Sequence, residues 1–226
     1  MRRILTPVLL AMCVALAMAP AAHAQSLLFD YVGFDYEFPN PNPGAFGEPG
    51  SGYVGLGTVP SLFGPLVTNT SANEYTYVMQ GFTPTGITPI GPYDRIDYTS
   101  GVITIYEDSR YTGTFADYGT NPPSALAPGT FTDGTPILIG TLTNFQFVVN
   151  TTNGTGSFEA VFTITGGTQL GNFPLSQRAG WTFAGSSGNA LNIPAGYAHQ
   201  IDGQTFLNSP SPTRRTSWGR LKAGYR

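Results

Sequence analysis

Residues 144–165 read NFQFVVNTTNGTGSFEAVFTIT, and this stretch decides the fold class. Phe145, Phe147 and Val149 alternate with Gln146 and Val148. Beyond the polar run Asn150–Gly156, the residues Phe158, Ala160, Phe162 and Ile164 fall on one face. Successive side chains of a strand point to opposite faces, so this period of two predicts a pair of half-buried strands. Asn153-Gly154 between them supplies the positive φ angles of a tight turn, and an antiparallel hairpin follows.

The same pattern extends outward. Phe34-Asp35-Tyr36-Glu37-Phe38 alternates aromatic with acid, Glu74 to Gln80 puts Tyr75, Tyr77 and Met79 on one face, and Val102 to Glu107 is a mixed β-branched run. Turn signals separate these runs, among them Asn40-Pro41-Asn42-Pro43-Gly44, Glu48-Pro49-Gly50-Ser51-Gly52, Thr99-Ser100-Gly101, Asp133-Gly134 and Gly166-Gly167. No window of the body carries a helical period over the ten or so residues a helix needs. The predicted class is all-β, as an antiparallel β-sandwich, with a closed β-barrel as the alternative. Gly113 to Gly134 is read as a long Pro-rich connection, of the kind that carries function or merely crosses over.

The ends are different in character. The chain starts MRRILTPVLLAMCVALAMAPAAHAQ: Arg2 and Arg3, an apolar run from Ile4 to Met18, then Ala22-His23-Ala24 ahead of Gln25. That is the three-part pattern of a secretory signal peptide, and the run is short for a transmembrane span. Residues 1–24 are read as the signal peptide of an exported bacterial protein, residues 25–208 as one domain, and residues 209–226 as a Pro/Ser spacer with a basic, aromatic tail. Export to the cell surface, the extracellular space or the periplasm is expected, with no transmembrane span in the mature chain.

Of the 226 residues, thirteen are acidic and ten basic. Between Gln25 and Pro212 stand all thirteen acids and three bases (Arg95, Arg110, Arg178), a net of −10, whereas the final fourteen residues carry +5. An acidic body disfavours nucleic acid, which needs clustered Lys and Arg for its phosphates. In the tail, Trp218, Leu221 and Tyr225 would share one helical face, with Arg214, Arg215, Arg220, Lys222 and Arg226 around them. A stretch this short is expected to be disordered or briefly helical alone, and to act as a docking or sorting tag read by export or sorting machinery.

Catalytic chemistry is thinly supplied. The only cysteine, Cys13, lies in the predicted signal peptide, so the mature chain has neither disulfide nor thiol. His199, its one histidine, is read as a polar surface residue beside a turn; Ser186 in Ala184-Gly-Ser-Ser-Gly188 is only a loose relative of a nucleophile elbow. One histidine and no cysteine cannot build a zinc site, so no cofactor is expected. Calcium on loop oxygens (Asp94, Asp97, Glu107, Asp108, Asp117, Asp133) is the one metal left open, although no calcium-loop spacing occurs. The acids form no selective pair for a glycoside hydrolase. Twelve Tyr, fifteen Phe and two Trp remain, and Tyr93, Tyr98, Tyr111 and Tyr118, in or near loops, are the candidates for stacking on a sugar.

Glu74-Tyr-Thr-Tyr-Val78, Gly101-Val-Ile-Thr-Ile-Tyr-Glu-Asp108, Phe131-Thr-Asp-Gly134, Gly154-Thr-Gly-Ser-Phe158, Trp181-Thr-Phe-Ala-Gly185 and Gly196-Tyr-Ala-His-Gln-Ile-Asp-Gly203 carry a resemblance. Over about residues 74–226 the chain resembles uncharacterised exported bacterial β-rich surface proteins, similar in style to those with PEP-CTERM sorting tails but lacking that tail. The resemblance implies a surface or matrix component and brings no catalytic residue with it. The expected function is therefore non-enzymatic, with a surface, matrix or assembly role, including self-association. A carbohydrate-binding module that takes up polysaccharide is the alternative, and a carboxylate-dependent glycoside hydrolase a more distant one.

Overall fold

The computed structural model describes residues 26–39, 46–118, 127–188 and 191–207. The signal-peptide and tail readings lie outside these residues. Ser26–Asn208 forms one compact unit.

Ten strands build it: β1 Ser26–Phe38, β2 Gly52–Leu62, β3 Asn73–Phe82, β4 Pro84–Ile90, β5 Tyr93–Tyr98, β6 Gly101–Ser109, β7 Thr135–Asn150, β8 Gly156–Gly166, β9 Trp181–Gly188 and β10 His199–Leu207. Three short 3₁₀ turns are the only helical segments among the described residues. The all-β class is as expected, and of the two architectures the molecule builds the barrel. Strands β1, β2, β3, β6, β7, β8, β9 and β10 pair in that cyclic order, every pair antiparallel, and the last pairs with the first along Ser26↔Leu207 to Asp35↔His199. The hairpin read from the sequence is β7–β8. Its turn differs in one detail. Only Gly154 takes positive φ (69°), while Asn153 instead accepts hydrogen bonds from the N–H and hydroxyl of Thr155 (3.1 and 2.7 Å).

Strands β4 and β5 extend one wall. The chain bends at Thr83 and Thr99, where the Thr83 N–H donates to the Thr99 hydroxyl (2.9 Å) and the Thr99 N–H to the Thr83 carbonyl (2.9 Å). Beyond the bend, β5 replaces β6 as the neighbour of β7, pairing Tyr93↔Asn150 to Asp97↔Gln146. A bulge between Thr143 and Gln146, with Asn144 at φ 54°, marks the changeover. It shifts the strand by one position, so that Leu142 and Phe145 both face the interior.

An eight-stranded barrel is just wide enough for side chains to fill. Here aromatic rings fill it. Tyr31 stacks on Phe183 (centroids 4.6 Å, planes 2° apart) and meets Tyr77 edge-on at 5.4 Å; Phe145 packs on Tyr53, Phe82 and Tyr98. Tyr31 lies across Gly185 and Gly203, where a β-carbon would fall 2.6 and 2.4 Å from its hydroxyl oxygen. One end of the core takes in Leu66 and Phe173 from the β2–β3 and β8–β9 loops, which Gln169 ties together through both backbone groups of Val67 (2.7 Å each).

The long connection has a definite place. Ala116, Tyr118, Ala127 and fully buried Phe131 pack on the outer face of the barrel, against Tyr36, Val54, Leu56, Val78 and Tyr197. The Thr76 hydroxyl pins it by donating to the Phe131 carbonyl (2.9 Å). This cover explains β1. A half-buried strand ordinarily turns its acids to water, yet here Phe34 and Tyr36 face the covered outer wall while Asp35 and Glu37, 0% and 4% exposed, face inward.

Candidate functional site

Both inward acids of β1 sit at the end of the barrel away from Ser26 and Leu207, and each is surrounded by donors. The Asp35 carboxylate accepts from the backbone N–H of His199 (2.9 Å), from its Nδ1 (3.1 Å) and from the Tyr53 hydroxyl (3.2 Å). A carboxylate only accepts, so Nδ1 carries the proton of this contact. Glu37 accepts from the Tyr98 hydroxyl (2.7 Å), the Ser51 hydroxyl (2.8 Å) and the Gly47 N–H, which is 3.0 Å from both oxygens. Burying a carboxylate is costly unless its lone pairs are satisfied, and here every donor comes from a neighbouring strand or loop. Desolvation is the main cause raising the Tyr53 and Tyr98 hydroxyls well above the usual tyrosine range, and the charges of Asp35 and Glu37 add to it. Both phenols therefore stay protonated and donate.

The Glu37 bonds hold Gly47 and Ser51, ahead of β2, at the mouth. They bring Phe46 onto the His199 ring (centroids 4.6 Å), which Phe147 meets from another side at 6.0 Å. Next to them opens a cavity of about 340 Å³, within the usual range for small-molecule sites. Phe46, Ile87, Ile96 and Val149 give it an apolar wall, and Glu48, Asp94, Asn150 and Thr151 its polar groups. Gly154 and His199 complete the lining. A β-carbon on Gly154 would lie 2.6 Å from Cδ2 and 2.8 Å from Nε2 of His199, so glycine is needed there both for its φ of 69° and for the close approach to the ring.

His199 is thus no surface residue. It is 6% exposed and hydrogen-bonded through Nδ1 to an acid that the chain places 164 residues earlier. Neither serine nearby offers it a hydroxyl. Ser186 donates to Asp202 (2.6 Å) and Ser187 to the Gly154 carbonyl (3.0 Å). A base held by an acid is present, but no nucleophile is bonded to it among the described residues.

The four candidate tyrosines do not converge. Tyr98 is inside the barrel on Glu37, and Tyr118 lies under the outer cover against Phe34 and Phe131. Tyr93 starts β5 with partial exposure, and Tyr111 projects freely beyond β6. Burial is likewise the main cause raising the Tyr118 hydroxyl above its ordinary range, and it pushes that of Tyr197 up to about 12. Of the tail residues Arg214, Arg215, Trp218, Arg220, Leu221, Lys222, Tyr225 and Arg226, all lie outside the described residues. Among the described residues no group of three His, Cys, Asp or Glu side chains could hold a metal ion.

A second recess, about 560 Å³, lies on the outer face of β1, β9 and β10. Asp30, Ser186, Asp202 and Gln204 line it beside Phe206. Set against protein-family models, curated proteins and solved structures, the chain matches none.

Proposed function

We propose an exported, non-enzymatic β-barrel with a surface, matrix or assembly role, which holds a small ligand at its mouth. One observation carries the binding reading: a cavity of about 340 Å³ opens on His199, the partner of buried Asp35, while a mainly aromatic core fills the rest of the interior. Binding rather than catalysis is supported by the hydroxyls of Ser186 and Ser187, which are bonded elsewhere. Export rests on the three-part pattern at the N-terminus and on the resemblance to exported surface proteins. A fragment screen followed by amide NMR tests the binding reading. Ligands that shift Thr151, Gly154 and His199 together support it; hits that leave all three unmoved count against it.

A carbohydrate is the second reading, favoured by the outer recess, where acid, amide and hydroxyl acceptors surround Phe206. Polysaccharide pull-down with Asp30→Ala and Asp202→Ala variants distinguishes the two sites. We also propose the C-terminal tail as a docking tag, on the charge contrast of −10 and +5. Light scattering of the full chain against one ending at Pro212, at low and high salt, tests it; identical salt-independent monomers would end that idea.

A further inference from the structure

Strand β1 starts and β10 finishes at one end of the barrel, where Ser26 pairs with Leu207. Two loops, residues 63–72 and 167–180, close that end. Leu66 and Phe173 join the core, and Gln169 bonds both backbone groups of Val67. Further bonds brace this cap: Asn172 donates to the Pro65 carbonyl (3.1 Å), Arg178 Nε to that of Phe173 (2.9 Å) and Trp181 Nε1 to that of Gln177 (2.7 Å). On this frame Val67 and Leu175 stand 71% and 81% exposed, with Phe63 at 38%. A single exposed leucine needs no explanation, but apolar side chains held outward from one braced cap make a surface for a partner.

The cap is also free of acid. Residues 63–72 carry no charge and residues 167–180 only Arg178, in a body whose net charge is −10. The acids of this end belong to other strand termini, Glu74, Glu107, Asp108 and Asp133. Of these, Glu74 accepts from the Ala116 N–H (3.0 Å) and Glu107 from the Tyr75 hydroxyl (2.6 Å). Beyond Leu207, residues 208–226 add five bases, Trp218, Leu221 and Tyr225, and no acid.

Apolar tips and clustered bases at one end suit an occupant with hydrocarbon beneath a negative surface. Shallow apolar insertion and a polybasic segment together hold a protein on a membrane where neither suffices alone. A second copy pressed cap to cap would bring two +5 segments together. A nucleic acid would answer the bases and leave Val67 and Leu175 in water.

Resting on the docking-tag reading of the tail, we propose that this end of the barrel docks on an anionic lipid surface. Val67 and Leu175 enter the interface, and the basic segment after Pro212 binds the headgroups.

The test is flotation of the chain from Gln25 to Arg226 with vesicles of phosphatidylcholine alone, or mixed equally with phosphatidylglycerol. The mixed vesicles are expected to bind it about tenfold or more tighter, and high salt to weaken that binding. Ending the chain at Pro212 should weaken it more than about a hundredfold, because each base near an anionic surface contributes about fivefold. Val67→Ser and Leu175→Ser change no charge and should each weaken it by about tenfold, with thermal unfolding unchanged at these exposed positions. Binding that both serine variants leave intact overturns the membrane face, since the tail alone then accounts for it. Equal binding to the two compositions overturns the anionic preference. No vesicle binding overturns the proposal outright; salt-dependent light scattering of the full chain would then keep the docking tag with a protein target, and its absence would remove both.

Discussion

One oxygen of Asp35, Oδ1, accepts from both the backbone N–H and Nδ1 of His199, at 2.9 and 3.1 Å. The ladder between β1 and β10 and the side-chain network of the mouth are thereby joined at a single register pair, Asp35↔His199.

Asp35→Ala removes at once, among the described residues, the hydrogen-bond partner of the buried His199 Nδ1 and that of the Tyr53 hydroxyl. Breaking a buried pair from one side costs about 3 kcal/mol or more, since the survivor is left desolvated. Chemical denaturation should show a loss of that order, and a change within about 0.5 kcal/mol, as at ordinary surface sites, would contradict the network.

Glu37→Gln keeps the shape but replaces an acceptor oxygen with an NH₂ donor, facing the Gly47 N–H and the hydroxyls of Ser51 and Tyr98. Those groups cannot all be satisfied. Hydrogen exchange at Gly47 should speed up well beyond that of the β7–β8 ladder amides, because the loop opens before the barrel does.

Alkaline unfolding follows from the buried phenols. Burial raises Tyr31, Tyr53, Tyr77 and Tyr98 well above the ordinary value of 10.0. A group with a raised folded pKa contributes stability that is complete below its unfolded pKa, so this share is full below about pH 10 and is lost as pH climbs beyond it. Absorbance at 295 nm should rise for these residues only together with loss of the β circular-dichroism signal. Independent, earlier ionisation in the folded state would contradict the packing.

Phe131→Ala tests the outer cover. The ring is fully buried between the long connection and β1–β3, so truncation should cost about 3 kcal/mol. Faster limited proteolysis within residues 113–134 should accompany it.

The parts legible in the sequence were those with local alternation. Tyr75, Tyr77 and Met79 do share the interior face, as do Phe158, Ala160, Phe162 and Ile164. β1 alternates just as cleanly, yet its pattern does not say which face is inside. Its acids are buried because Tyr53, Tyr98, Ser51, Gly47 and His199 converge on them from separations of 10 to 164 residues. In the sequence His199 reads as exposed for the same reason: its partner is remote in the chain. Sandwich and barrel differ by the β1–β10 ladder, again a long-range pairing. Tyr98 did carry a local signal, since it has the parity of Ile96, and both point inward.

The seam between β1 and β10 also constrains when the molecule can exist. Its two halves are the first and last strands of the described chain, so a nascent polypeptide that has not yet delivered residues 199–207 has an open sheet with both borders exposed. Closing the ring must await the synthesis of β10, and the entropy of joining such distant segments makes that a late event. Barrel formation is therefore an all-or-nothing step once β10 is delivered, and any truncation that reaches β10 should yield a species that sticks to its neighbours rather than a smaller barrel.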